Sequence, residues 1–128
     1  LKNEKIYKIL FQNPDVPYLM SLEEPMKNLT ENCTVSYSSN RYMEFNSIGI
    51  DKGNGLRSLA EILGIDVKDI IAVGDNYNDI SMLKTAGLSV AVSNAVDDAK
   101  KAAHYVTEAD NNKGAVAELI EKFIINRI

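Results

Sequence analysis

The segment at residues 71–83 constrains the fold of this chain more than any other stretch of its sequence. An apolar run at residues 70–73 ends at Gly74, and two carboxylates follow at Asp75 and Asp79. A short continuous apolar run is typical of a buried parallel strand. Where such a strand turns into a helix, the next residue lies at the carboxyl edge of the sheet, and open α/β sheets bind ligands at that edge. The segment therefore predicts an α/β fold with a binding site at this turn.

The two carboxylates favour a metal site at that edge. Mg²⁺ usually binds one or two carboxylates together with water and substrate phosphate, so we predict Asp75 and Asp79 as ligands of Mg²⁺. The alternative is structural, because Asp is favoured as a helix cap and in the first turn of a helix, where it meets the positive end of the dipole. A cap alone would leave the second carboxylate unexplained, which favours the metal site.

The remaining sequence predicts two domains that meet after residue 46. The first part predicts a strand covered on both sides over residues 5–12, a helix over 16–31, and strands over 33–38 and 42–45. Pro25 would kink that helix or divide it in two. The second part predicts helices over 53–63, 78–86, 95–102 and 113–126, with strands over 69–74, 88–92 and 104–107. Repeated βα units imply right-handed crossovers and a parallel sheet.

Composition argues against several classes of protein. A net charge of −4 argues against a nucleic-acid binder, which usually carries a basic stripe. No apolar stretch approaches the roughly 18 residues that span a bilayer, so we expect no membrane partner either. The single cysteine, Cys33, allows no internal disulfide and agrees with a reducing, cytoplasmic location. An anionic substrate would therefore be held by local groups rather than by overall charge.

Several motifs together resemble the haloacid dehalogenase superfamily, in its Cof-type sugar-phosphatase branch. Residues 71–83 look like the fourth motif of that family, and residues 51–56 are similar to its Lys-Gly-x-x-Leu third motif. Similar stretches follow at residues 87–95, 103–107 and 113–117. The resemblance implies a three-layer, Rossmann-like parallel sheet, half of a haloacid-dehalogenase-like core, over residues 47–128. Part of an α/β cap domain would precede it over residues 1–46.

The resemblance also implies a function. It is that of a Mg²⁺-dependent phosphatase that hydrolyses small phosphate monoesters, such as sugar phosphates, through an aspartyl-phosphate intermediate. Asp75 would bind the metal, Asp79 would orient metal-bound water or the surroundings of Asp75, and Asn78 would touch the substrate phosphate. Lys52 would neutralise charge on the phosphate in the transition state, although most lysines are solvated surface residues. The neighbouring Gly53 favours a backbone amide pocket for anions.

Three further polar features carry weaker predictions. Asn94 follows the predicted strand at 88–92, and it either lines the rim of the substrate pocket or caps the next helix. The polar loop at residues 110–112 is expected to be a plain connection. The sole histidine, His104, is predicted to be structural, because phosphoaspartate chemistry requires no histidine.

One motif of the resembled family does not occur in this sequence. The family's nucleophile is the first residue of an Asp-x-Asp motif, and these 128 residues contain no such motif. We therefore expect the chain to be the carboxyl-terminal part of a longer enzyme, inactive alone, with the amino-terminal half as its natural partner. The strand at 69–74 would then have an open apolar edge through which the chain could dimerise.

Three other functions are compatible with part of this pattern. A phosphosugar mutase of the same superfamily shares these motifs and differs only in its substrates. The phosphorylation domain of a cation-pumping ATPase has a hinge motif similar to residues 74–79, but it also needs transmembrane helices and an Asp-Lys-Thr-Gly-Thr site. A non-catalytic phosphate- or metal-binding module would keep the carboxylates without any turnover.

Overall fold

The computed structural model describes residues 6–126. The chain divides into two compact units, with the first ending at Asp51, whereas the sequence predicts a boundary after residue 46. The turn that follows the last strand of the first unit explains the difference. Its Gly49 N–H donates to the hydroxyl oxygen of Thr34 at 3.0 Å, which ties the turn to the first unit.

The first unit is an antiparallel sheet with two helices. Its elements are β1 (Lys8–Gln12), α1 (Val16–Ser21), α2 (Glu23–Thr30), β2 (Cys33–Ser38) and β3 (Tyr42–Ser47). The strand order is β1-β3-β2, with both pairs antiparallel. Ser39 and Asn40, with φ of 51° and 50°, form the hairpin turn between β2 and β3. Two successive positive φ values are typical of a type I′ turn, whose twist matches that of the strands.

The single helix predicted over residues 16–31 is two helices, α1 and α2. Asp15 caps the first, because its carboxylate accepts the N–H of Tyr18 at 3.0 Å. The break lies at Leu22, between the two helices. Pro25 lies within the first turn of α2, where the missing N–H of a proline removes no helical hydrogen bond. The chain therefore divides the helix before the proline and not at it.

The two faces of the first sheet differ in polarity. On one face Met43 is completely buried, and an apolar cavity of about 220 Å³ lies between the sheet and α2. The residues that line it are Ile9, Phe11, Met26, Leu29, Thr30, Cys33 and Phe45. On the other face the buried carboxylate of Glu44 accepts a hydrogen bond from Lys8 Nζ at 2.8 Å and another from Ser38. The chain thus pairs this buried charge, as buried carboxylates require.

The prediction that the first strand is covered on both sides is wrong for the described residues. Every residue of β1 is exposed, including Leu10 at 54% and Phe11 at 46%. The reason is its position, because within residues 6–126 β1 pairs with no strand other than β3 and is therefore an edge strand. The part of the prediction that falls on residue 5 lies outside the described residues.

The second unit is a parallel sheet with helices, which confirms the predicted α/β class. Its elements are α3 (Lys52–Leu63), β4 (Ile71–Gly74), α4 (Ile80–Thr85), β5 (Leu88–Ala91), α5 (Asp97–Ala102), β6 (Tyr105–Val106) and α6 (Ala115–Ile120). The strand order is β4-β5-β6, and both pairs are parallel. The core of this unit is built from Leu83 and small residues of β5, α5 and α6. Their small size lets the helices approach the sheet closely.

The helix starts of the second unit differ from the sequence prediction by one or two residues, at Lys52 for α3 and Asp97 for α5, and two of the differences have a local cause. The helix predicted from residue 78 begins as a 3₁₀ turn, Tyr77–Asp79, before α4. The last helix begins at Ala115 because Gly114 precedes it with φ of 90°, a conformation outside the right-handed helix that glycine adopts without a steric penalty. Beyond α6 the chain continues as a π-helical turn over Glu121–Ile125.

Strand β4, which leads to the predicted site, is an outer strand of the sheet among the described residues. Among residues 6–126 no strand pairs with the free side of β4. The predicted association through this edge is not tested by the structure and stays a prediction. Within the same part of the chain, no helix has the length and apolar character needed to cross a bilayer.

Two glycines of α3 give a test of the packing between α3 and α4. A Cβ at Gly53 would lie 2.6 Å from the carbonyl oxygen of Ser81, whereas a Cβ at Gly55 would meet nothing within 4 Å. We expect Gly53→Ala to lower the free energy of unfolding by about 2 kcal/mol through overpacking. Gly55→Ala, the matched control, should raise it by about 0.5–1 kcal/mol because alanine is the better helix former. Urea denaturation measures both, and a change of the same sign in both variants would contradict this packing.

Candidate functional site

The candidate site lies where β4 ends. Gly74 is the last residue of β4 and pairs with Ala91 of β5, so the next residue, Asp75, stands at the carboxyl edge of the parallel sheet. Its backbone oxygen accepts the N–H of Val96 at 2.9 Å, which joins this edge to the chain just before α5. The strand, the turn and the neighbouring connection thus fix the backbone of Asp75, as the sequence predicts.

Asp79 organises the turn that follows. One oxygen of its carboxylate, Oδ2, accepts the backbone N–H of Asp75 at 2.9 Å and that of Asn76 at 3.1 Å. The other, Oδ1, lies 2.5 Å from Lys52 Nζ. The side chain of Asp79 is only 6% exposed, whereas that of Lys52 is 50% exposed. Both oxygens of this buried carboxylate are therefore held by donors from the same site.

These contacts determine the charge of Asp79. Burial alone would raise the pKa of this carboxyl group, but Lys52 and the two backbone N–H groups outweigh burial and hold the pKa below its usual value. Asp79 is therefore a carboxylate at neutral pH. Its predicted role as a metal ligand is not tested, and its geometry favours the second role implied by the resemblance, that of orienting the backbone at Asp75.

The glycine before Asp75 is required by the side chain of Asp79. A Cβ at Gly74 would lie 2.5 Å from Cβ and 2.9 Å from Cγ of Asp79, closer than side chains approach. The missing side chain of Gly74 leaves the space into which the Asp79 carboxylate folds back toward the strand end. The Gly-Asp pair and the second carboxylate are therefore parts of one local structure.

Asp75 differs electrostatically from Asp79. Its pKa is raised, first by partial burial and then by the adjacent Asp79 charge, while Lys52 and a hydrogen bond with Asn111 oppose the rise. A cation beside Asp75 would favour its ionised form and so oppose the rise in its pKa. The half-buried Asp75 is thus the carboxylate in this turn that gains most from a bound cation.

The residues present fit Mg²⁺ as part of its ligand set. Among residues 6–126 there is no group of three or more His, Cys, Asp or Glu side chains that could hold a metal ion by themselves. Mg²⁺ commonly takes one or two protein carboxylates and completes its shell with water and phosphate oxygens. Asp75 supplies one such carboxylate, and the Asn111 amide lies beside it. The possible ligands are oxygen atoms, and they are too few to complete the shell of the ion. This is expected for a site in which a phosphate supplies further ligands to the metal.

The structure brings the predicted residues Lys52, Asp75 and Asp79 together, and Asn78 lies half-buried in the same 3₁₀ turn. An ammonium group has three N–H donors, and the contact with Asp79 uses one of them. The predicted anion pocket at Gly53 is not supported, because its backbone N–H donates to Ser81 Oγ at 3.0 Å. That amide joins α3 to α4.

Asn94 lies at the same edge but does not cap α5, whose N-cap residue is Val96. Its side chain instead exchanges two hydrogen bonds with Asn111, donating to Asn111 Oδ1 at 3.0 Å and accepting the Asn111 backbone N–H at 3.1 Å. Asn111 also lies close enough to Asp75 to lower the pKa of that carboxyl group. The sequence analysis treated the loop at residues 110–112 as a plain connection, and the contacts of Asn111 with Asn94 join this loop to the end of β5.

His104 lies outside this cluster and has the predicted structural role. His104 immediately precedes β6 and therefore lies at the amino ends of the parallel strands. Its Nδ1 is 2.9 Å from the hydroxyl oxygen of Ser89. The backbone N–H of Ser89 also donates to this Nδ1 at 3.1 Å. Because Ser89 is fully buried, the histidine satisfies polar groups within the sheet.

Comparisons with known proteins find relatives of this chain among phosphatases and related hydrolases. The chain is 52% identical over 75 residues to a phosphoglycolate phosphatase of Methanosarcina acetivorans, covering 59% of this chain and 33% of the relative. It is 35% identical over 121 residues to the 5-amino-6-(5-phospho-D-ribitylamino)uracil phosphatase YwtE of Bacillus subtilis, covering 94% of this chain and 42% of the relative. A haloacid dehalogenase-like hydrolase from B. subtilis has the same fold, with a TM-score of 0.82 and 32% identity over 95% of this chain and 43% of that one.

The chain therefore spans less than half the length of each of these three proteins. The family match itself is broader and covers residues 1–120. On this match, the chain belongs to the haloacid dehalogenase-like hydrolase family.

Proposed function

We propose that this chain supplies part of the metal and phosphate site of a Mg²⁺-dependent phosphatase that acts on small phosphate monoesters. The observation that carries the proposal is the joining of Lys52, Asp79 and Asp75 at the carboxyl end of β4. This arrangement presents a cation and a half-buried carboxylate at the sheet edge where α/β proteins bind ligands. The names of the phosphatase relatives support the reaction class.

Each residue has a distinct task in this proposal. Asp75 would hold the Mg²⁺ ion, which supplies electrostatic stabilisation of the transferring phosphoryl group when it is bound. Lys52 would place an ammonium group near the phosphate oxygens, where positive charge lowers the transition-state energy. Asp79 fixes the backbone of Asp75 and the ammonium of Lys52 at the same time, so it would position both groups for the phosphate.

The substrate class is proposed from two sources. One relative is named for a phosphorylated ribityl compound and another for phosphoglycolate, which are small organic phosphate monoesters. Sugar phosphates belong to the same chemical class. The Asn78 amide in the 3₁₀ turn would add a neutral donor to the phosphate, in the role that the resemblance implies.

We further propose that the chain does not turn over phosphate esters by itself. Its 128 residues contain no Asp-x-Asp motif, and the resembled family uses the first Asp of that motif as its nucleophile. Without a nucleophile, the cation and the carboxylate of this site have no covalent step to assist. The missing group would come from other sequence of the same enzyme.

A comparison of two proteins tests this function. Hydrolysis of p-nitrophenyl phosphate and of a panel of sugar phosphates should be measured for the 128-residue chain and for the full product of its gene, with Mg²⁺ and with EDTA. We expect Mg²⁺-dependent turnover by the full product and none by the chain. Turnover by the chain that depends on Asp75 would refute the proposed inactivity. A full product that hydrolyses none of these esters, with or without Mg²⁺, would refute the phosphatase.

A further inference from the structure

The side chain of Glu118 makes three hydrogen bonds at the start of the loop between β6 and α6. Its Oε1 accepts the backbone N–H of Glu108 at 3.0 Å and the hydroxyl of Tyr105 at 2.9 Å. Its Oε2 accepts the backbone N–H of Ala109 at 2.9 Å. A residue of α6 thus bonds to two successive amides of the loop and to a strand residue beside it.

The same loop carries Asn111 to the candidate site. Oδ1 of Asn111 accepts hydrogen bonds from Asn94 at 3.0 Å and from Asn112 at 2.8 Å. Its amide nitrogen therefore remains to donate, and its side chain lies close enough to Asp75 to lower the pKa of that carboxyl group. The position of this amide depends on Asn94 and on the path of the backbone from residue 107 to residue 112.

Two features indicate that Glu118 is ionised when it makes these hydrogen bonds to the loop. The N–H of Ala109, followed by other donors that outweigh partial burial, keeps the pKa of Glu118 below its ordinary value. Both of its oxygens accept backbone N–H groups, which a carboxylate does and a carboxamide cannot, because one of its terminal atoms is a donor. The loop is also joined to the β5 end of the sheet, where the Ser93 N–H donates to the Ala109 oxygen at 3.2 Å.

We propose that Glu118 is a positioning residue of the candidate site: by holding the backbone at residues 108 and 109, it keeps the Asn111 amide against Asp75. The inference rests on the proposed function in one respect: Asp75 is assumed to be the carboxylate that binds the Mg²⁺ ion. Glu118 itself touches neither the cation nor the phosphate. It acts through Asn111, as residues that orient metal ligands from outside the coordination shell do.

The first test is structural and needs no metal. Glu118→Gln should be compared with the original chain and with Glu121→Gln, an exposed residue three positions further along. We expect amide hydrogen exchange at Glu108 and Ala109 to become about 10-fold faster in Glu118→Gln, because one N–H loses its acceptor. The NMR signals of the Asn111 side-chain amide should shift toward those of a solvated amide. Glu121→Gln should change neither property.

The second test asks whether Glu118 acts through Asn111. Mg²⁺ binding is followed by NMR titration in four versions of the full gene product: the original, Glu118→Gln, Asn111→Ala and the double variant. We expect Glu118→Gln to raise the Kd for Mg²⁺ about 10-fold, the size of effect that residues behind metal ligands produce. In the Asn111→Ala background the same substitution should have no further effect. A merely structural role would instead weaken binding equally in both backgrounds.

The outcomes separate this inference from the proposed function. Unchanged exchange at residues 108 and 109, or an unchanged Asn111 amide, in Glu118→Gln would overturn the positioning role. Equal effects of Glu118→Gln on Mg²⁺ affinity with and without Asn111 would also overturn it. If the original full gene product binds no Mg²⁺ near Asp75, the metal part of the proposed function fails, while the exchange and amide measurements still decide the role of Glu118.

Discussion

Replacing Asp75 with Asn is expected to lower the Mg²⁺-dependent turnover of the full gene product by about 10²–10³-fold, the loss found when one preorganised electrostatic group is removed from an active site. The neutral amide of Asn keeps the shape of the side chain but loses the charge that attracts the cation. Turnover measured against Mg²⁺ concentration, with calorimetry of Mg²⁺ binding, shows whether the loss follows the metal.

The fold should survive this substitution. The pKa of Asp75 is raised by burial and by the Asp79 charge, so ionisation of Asp75 opposes folding at neutral pH. The uncharged Asn removes that penalty, and the free energy of unfolding should not fall. Asp69→Asn is a matched control, since Asp69 is exposed in a 3₁₀ turn before the same strand and should leave turnover unchanged. Turnover and Mg²⁺ affinity that are retained in Asp75→Asn would remove this residue from the metal site.

Replacing Asp79 with Ala should, in contrast to Asp75→Asn, cause a large loss in the free energy of unfolding. The substitution leaves the backbone N–H groups of Asp75 and Asn76 without their acceptor and Lys52 without its buried partner. Unsatisfied buried donors cost about 1–3 kcal/mol each. Because Lys52 is half-exposed and can be rehydrated, we expect a total loss of about 3 kcal/mol. Urea denaturation at pH 7 measures it.

The pH dependence of that loss gives a second check. The pKa of Asp79 is lowered in the folded state, so its ionised form stabilises the fold above the ordinary Asp pKa of about 3.9. This contribution is lost as the pH falls through the lower, folded-state pKa. The difference in stability between the original chain and Asp79→Ala should therefore shrink in strong acid. A difference that stays constant from pH 7 to pH 2 would show that the charge of Asp79 is not what stabilises the turn.

The sequence predicted the second unit better than the first, for a physical reason. Strand β4 has a continuous apolar run and a glycine at its end, and its residues are buried or half-buried, so its local pattern and its packing agree. In the first unit the pattern of β1 indicated cover on both sides, but the strand is an exposed edge. Burial depends on neighbours in space, and a strand pattern contains no information about which neighbours are present.

The candidate site also contains residues that the local sequence predicts and residues that depend on neighbours in space. Lys52, Asp75 and Asp79 could be predicted together because a strand end, a helix start and a one-turn spacing place them locally or through recognisable motifs. Asn111 could not, because its contact with Asp75 joins two loops that follow different strands of the sheet. A short polar loop reads as solvent-exposed unless the order of the strands is known. The use of the Gly53 amide by Ser81 likewise depends on how closely two helices approach.

The close contact between α3 and α4 has a mechanical consequence for the charge pair. Lys52 is the first residue of α3, and Asp79 immediately precedes α4. Each charge therefore lies at the start of one of two helices that contact each other at Gly53 and Ser81. The hydrogen bond from the Gly53 N–H to Ser81 Oγ brings the starts of the two helices together, so the approach of the ammonium to the carboxylate depends on the packing of α3 against α4. A substitution that separates these helices should weaken the charge pair even though neither charged residue is changed.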